Sequence, residues 1–171
     1  LQRGADNSLP DVVPFLEATQ SVDGGAGYRP GNGPSTQMTG VAIWSYRLAD
    51  VTVEDPRVQR ALVWLRDNWR EIRGDINGVP FGANSIYYRY WSVVKALSAS
   101  HGRVPEGALN AESFGELNPD DTGYPGTPAG YYYDIAHRIL DQQNEDGVWP
   151  RDNNGWTSES NHIFAILSLE R

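Results

Sequence analysis

The stretch QQNEDGVWP, Gln142–Pro150, closes a segment with helical spacing, and its pattern has one earlier counterpart, QSVDGGAGY, Gln20–Tyr28. Both carry Gln-x-x-Asp-Gly followed by an aromatic residue: Gln20, Asp23, Gly24 and Tyr28, then Gln143, Asp146, Gly147 and Trp149. A glycine can end a helix because it enters the left-handed backbone region without a Cβ penalty. The aspartate can bond backbone groups of the turn, and the glutamine and the aromatic can tie the turn to its neighbours. One chain ending two helices with one turn points to a repeated helical unit.

Working outward, three segments pair a proline start with helical spacing. Leu9–Gln20 places Leu9, Val12, Val13 and Leu16 on one face. Glu54–Trp69 offers Asp55 as N-cap and Pro56 as first helical residue, with a stripe of Val58, Ala61, Leu62, Leu65 and Trp69. Thr127–Gln143 offers Thr127 and Pro128 in the same roles, with Tyr132, Ile135, Ala136, Ile139 and Leu140 as its stripe. These are amphipathic helices with a polar outer face.

After each comes a Gly-containing turn and a second, more apolar helix. VAIWSY (Val41–Tyr46), YRYWSV (Tyr88–Val93) and FAILSL (Phe164–Leu169) align without a gap on Ser45, Ser92 and Ser168, with a bulky Trp or Leu before each serine. The expected organisation is all-α, a single domain of three helix-turn-helix repeats at about 8–52, 53–102 and 127–171, with an insertion at about 103–126. The middle turn is degenerate, keeping Gly78 and Phe81 without the Gln-x-x-Asp-Gly pattern.

Composition narrows the chemistry. Apolar residues make up 39% of 171, and six Trp and nine Tyr supply large pieces of buriable surface, as a globular chain requires. A net charge of −8 disfavours nucleic acid as partner. No cysteine is present, which excludes disulfides and thiolate metal sites. No stretch approaches the length of a membrane span, and no signal-peptide pattern opens the sequence; the compartment is left open.

At QQNEDGVWP, DGGAGYRPG, YYRYWSVVKAL and SNHIFAILSLER the sequence resembles the prenyltransferase and squalene-cyclase (squalene oxidase) repeat superfamily. The first stretch is similar to the Gln-x-x-x-Gly-x-Trp turn that clamps helices in triterpene cyclases. The resemblance implies an α/α toroid of which three repeats form about half a ring. It also implies the C-terminal part of a longer bacterial repeat protein, whose missing N-terminal half, or another protein chain, completes the ring.

The activities of that superfamily can be tested residue by residue. A prenyltransferase zinc site needs a thiolate, and thioester domains need Cys-Gly-Glu-Gln; both are excluded. Class II cyclases use Asp-x-Asp-Asp, a carboxylic acid held protonated in a dry pocket; Asn118–Asp121, NPDD, has asparagine at its first position. Polysaccharide lyases on related toroids need an Arg or Lys base beside calcium, and Arg89, among tyrosines, is the suggestive residue. No catalytic set, metal site or cofactor is expected.

The aromatic concentration carries more. Tyr87, Tyr88, Tyr90 and Trp91 fall within five positions and cannot all hide on one helix face. With Trp44, Arg89 and His162 they form the candidate binding set for an apolar or carbohydrate ligand. The expectation is a non-catalytic or degenerate ligand- or partner-binding domain. The alternatives are part of a cyclase-like or lyase-like enzyme whose acid or base lies outside this chain, and a purely structural assembly surface.

Overall fold

The computed structural model describes residues 9–69, 86–115, 130–150 and 157–170. Within them lie six α-helices: α1 (Leu9–Thr19), α2 (Thr36–Leu48), α3 (Pro56–Asp67), α4 (Ile86–Ser98), α5 (Tyr131–Asp141) and α6 (Ser158–Leu169). A single 3-10 turn, Ala111–Ser113, accompanies them. No strand occurs among the described residues beyond one isolated bridge, Gln20 to Ala26. The all-α expectation holds.

The helix starts follow local chemistry. Asp55 caps α3 by accepting from the Arg57 N–H at 2.9 Å, and Pro56 follows at the first turn. Ser35 caps α2 and Thr157 caps α6 through their hydroxyl oxygens, each at 3.3 Å. For α5 the expectation fails: its N-cap is Gly130, which offers no side-chain bond, and the helix begins at Tyr131. Thr127 and Pro128 lie outside the described residues, as do Gly78, Phe81 and the NPDD stretch.

α4 packs along both α2 and α6, α1 and α3 lean on α2, and α5 lies against α4 and α6. α2 and α4 approach closely: a Cβ on Gly40 would lie 3.0 Å from the Ser92 carbonyl. Arg47 fastens the far end of that contact, giving hydrogen bonds to the carbonyls of Ala99 (2.8 Å) and Val51 (2.5 Å). The stripe of α3 is buried as expected from Val58 through Leu65, and Trp69, just past the end of the helix, is buried too. Each large apolar side chain there contributes roughly 1.5–3 kcal/mol.

On α5 the buried face is rotated from the expected one. Tyr131, Asp134, Ile135 and Ile139 are inside, Tyr132 and Ala136 are half-buried, and Leu140 is 54% exposed. The buried Asp134 accepts from the Trp69 indole N–H at 3.3 Å. A polar residue within hydrogen-bond reach of Trp69 thus turns toward the core, and apolar Leu140 turns away.

The described part of the expected insertion is woven into the core. Gln59 of α3 bonds Leu109 twice, its amide donating to the carbonyl and its oxygen accepting the N–H, both at 2.8 Å. Ala111 is buried, and Phe114 packs on Trp69 with ring centroids 5.2 Å apart.

Candidate functional site: an aromatic face across three helices

The two turns quoted at the outset carry the same bonds. In the first, Ser21 N–H donates to Gly25 O (2.8 Å), Gly24 N–H to Ser21 O (3.0 Å), and the Gln20 amide to Gly24 O (2.9 Å). In the other, Asn144 N–H donates to Val148 O (3.0 Å), Gly147 N–H to Asn144 O (2.9 Å), and the Gln143 amide to Gly147 O (2.8 Å). Gly24 and Gly147 both take positive φ, +99° and +76°. Even the tie to the following helix is shared: Ala26 N–H donates to Thr39 Oγ1 (2.9 Å), and Trp149 N–H to His162 Nε2 (3.3 Å).

That last pair assigns His162 its local work. Its Nδ1–H donates to the Ser158 carbonyl at 2.6 Å, leaving Nε2 as the acceptor for the turn. Its ring meets Trp149 edge-on, centroids 5.7 Å apart, and the Trp149 indole N–H closes the end of α5 on the Ile139 carbonyl at 2.7 Å. His162 clamps a turn to a helix, away from the other candidate residues.

Clamped in this way, α2, α4 and α6 present one continuous aromatic face. Trp44 meets Trp91 edge-on, centroids 5.3 Å apart and planes at 83°. Trp91 touches Phe164 (5.6 Å) and Tyr88 (5.7 Å), and Tyr88 touches Phe164 edge-on (5.2 Å). All four are half-buried. They occupy aligned positions: Tyr88 matches Phe164, Trp44 matches Trp91, and Val41 and Leu167 complete the two rows, half-buried as well. The serine alignment places them, because it fixes which side of each helix they share.

Two polar features mark this face. The Trp91 indole N–H is buried and finds no acceptor among the described residues. Burial above all, and then the neighbouring Tyr28, raises the Tyr88 hydroxyl above the usual tyrosine range. Tyr28 itself is 66% exposed, with Arg29 5.7 Å from its ring centroid.

The rest of the candidate set lies elsewhere. Tyr87 and Tyr90 are fully buried and Arg89 is 5% exposed. The reason is helical phase: Tyr87 and Tyr90 align with Gly40 and Ile43, which are covered where α2 meets α4, and Arg89 aligns with the buried Ala42 and Ala165. Sequence reasoning counted aromatics without dividing them by phase. Phe164 stands outside the candidate set, although the serine alignment gives it the same position as Tyr88.

A second polar cluster was not foreseen. His101 bonds Glu112 (2.8 Å) and the Tyr131 hydroxyl (3.1 Å), which also meets Ser98 (3.1 Å). The His101 bond is the main cause holding the Glu112 carboxyl below its ordinary range. This chain straps the segment after α4 onto α5. No group of His, Asp or Glu suited to a metal ion occurs among the described residues, and no described helix is long and apolar enough to cross a membrane. Comparison with protein-family models, with curated proteins and with solved structures gives no match.

Proposed function

We propose that this chain is a non-catalytic helical-repeat domain, similar to squalene-cyclase and prenyltransferase repeats, that binds a ligand on the aromatic face of α2, α4 and α6. The observation that carries the reading is the set Trp44, Tyr88, Trp91 and Phe164, four half-buried rings in mutual contact, drawn from three helices. A core alone would bury such rings fully, as it does Tyr46 and Trp69. Partly exposed rings offer π faces to a flat apolar group or to the C–H face of a sugar ring.

Support for the repeat architecture comes from the matching bonds of the two turns and from the side-by-side order α2, α4, α6. In the half-toroid reading these three helices form the inner wall and α1, α3 and α5 the outer one.

Titration with a neutral oligosaccharide and, separately, with a farnesyl-chain alcohol tests the proposal through tryptophan emission. One of the two is expected to give a saturable change, weakened at least tenfold by Trp91→Ala, with Val63→Ala on the outer surface as the silent control. Saturation by neither ligand, or binding indifferent to Trp91→Ala, would overturn it.

A further inference from the structure

The alignment that builds the aromatic face also shows which sides of the helices are covered, and by what. At the first helix pair, α3 and α4 do the covering. Gly40 lies against the Ser92 backbone, Ile43 is fully buried, Gly25 sits under the Trp64 indole, and the same indole N–H donates to Asp23 at 3.2 Å. Glu17 of α1 pairs with Arg57 of α3 at 2.5 Å. At the next pair the corresponding Tyr87 and Tyr90 are again buried.

At α5–α6 the same positions are bare and apolar. Ile163, aligned with Gly40 and Tyr87, is 55% exposed, and Ile166, aligned with Ile43 and Tyr90, is 50% exposed. Leu140 stands where Glu17 meets Arg57 and is 54% exposed; Val148 stands where Gly25 meets Trp64 and is 39% exposed. Leu140, Val148, Ile163 and Ile166 come from two helices and one turn, at positions whose counterparts form a packed joint. Scattered exposed apolar residues need no explanation, but four of them at positions whose counterparts are packed in a joint do.

The charge around the set restricts what can cover it. Asp141, Glu145, Asp146 and Glu159 are exposed within four residues of it in sequence, and the whole chain carries −8. A second copy meeting this edge with its own would bring acid against acid. At the covered edge the acidic groups Glu17 and Asp23 face Arg57 and Trp64. We infer that the free edge of α5–α6 is a docking surface for an amphipathic helix pair of the same kind as α3–α4, apolar at its centre and carrying arginine and indole donors toward Asp146 and its neighbours. The inference rests on the alignment of the two ends. It does not depend on the ligand, so the fluorescence titration can fail while this stands.

The test appends a second copy of residues 49–100 directly after Arg171, because Arg171 aligns with Leu48 and the added helices then fall in register. The extended chain is expected to gain helical ellipticity and to unfold at higher urea concentration. Ile166→Asp should raise its unfolding constant at least tenfold more than it raises that of the parent chain. An appended segment that stays unstructured, or an Ile166→Asp effect equal in both chains, overturns the inference. Sedimentation of the parent chain supplies the other check: a dimer dissolved by Ile166→Asp would make a second copy the occupant and overturn the basic helix pair.

Discussion

The turn after α1 and the turn after α5 share their backbone bonds yet differ in what surrounds them. The first is pressed against α3: a Cβ on Gly24 would lie 2.3 Å from the Arg60 carbonyl oxygen, and one on Gly25 would lie 2.5 Å from the Trp64 ring. The other stands clear of the described residues, none of which comes nearer to a Gly147 Cβ than the Gln143 amide at 3.8 Å. Local sequence therefore makes the turn, and a neighbouring helix turns it into a joint. The same Gln-x-x-Asp-Gly signal serves an interior position in one place and an edge in another.

Substituting the two glycines breaks this comparison most sharply. Gly24→Ala meets both a left-handed φ and a backbone clash, and should cost about 3 kcal/mol or more by thermal or urea unfolding. Gly147→Ala meets the φ penalty alone and should cost about 1–2 kcal/mol. Equal costs would mean that α3 yields to the first turn rather than buttressing it.

The glutamines give a smaller contrast. The Gln20 amide reaches Gly24 O and also Arg57 O, at 2.9 Å each, joining the turn to α3. Gln143 bonds within its own turn. Gln20→Ala should cost about 1–2 kcal/mol and Gln143→Ala about 0.5 kcal/mol. A larger loss at Gln143 would show the outer turn depending on its clamp more than the buttressed one does.

The smallest effect at neutral pH belongs to Tyr46, which aligns with Leu169. Its buried hydroxyl has no acceptor among the described residues, and burial pushes it up to about 12, against the opposing pull of Arg57. A phenol raised in the fold contributes stability that is present below pH 10 and is lost as the pH climbs through about 12. Tyr46→Phe should therefore change stability by less than about 0.5 kcal/mol at pH 7. It should also flatten the decline between pH 10 and about 12. An unaltered alkaline limb would place the loss on other groups.

Much of this was legible in the chain itself. Asp55 and Pro56 announced α3, the spacing from Val58 to Leu65 gave its buried face, and Gln-x-x-Asp-Gly marked both turns. Ser45, Ser92 and Ser168 set three apolar helices in a common phase, which was enough to place Trp44, Tyr88, Trp91 and Phe164 on one side. The α5 face misled because apolar periodicity outweighed Asp134, which is buried where it meets the indole of Trp69, sixty-five residues earlier in the chain.

What the sequence by itself determined was local: where helices start, where they turn, and which residues share a helix face, because these follow from bonds and spacings within a few residues. Which faces end up covered was decided by the tertiary structure. Tyr87 and Ile163 hold the same place in the alignment, yet one is wholly buried and the other more than half exposed. Burial is a property of the neighbour, and a residue's own identity carries no record of which helix comes to lie beside it.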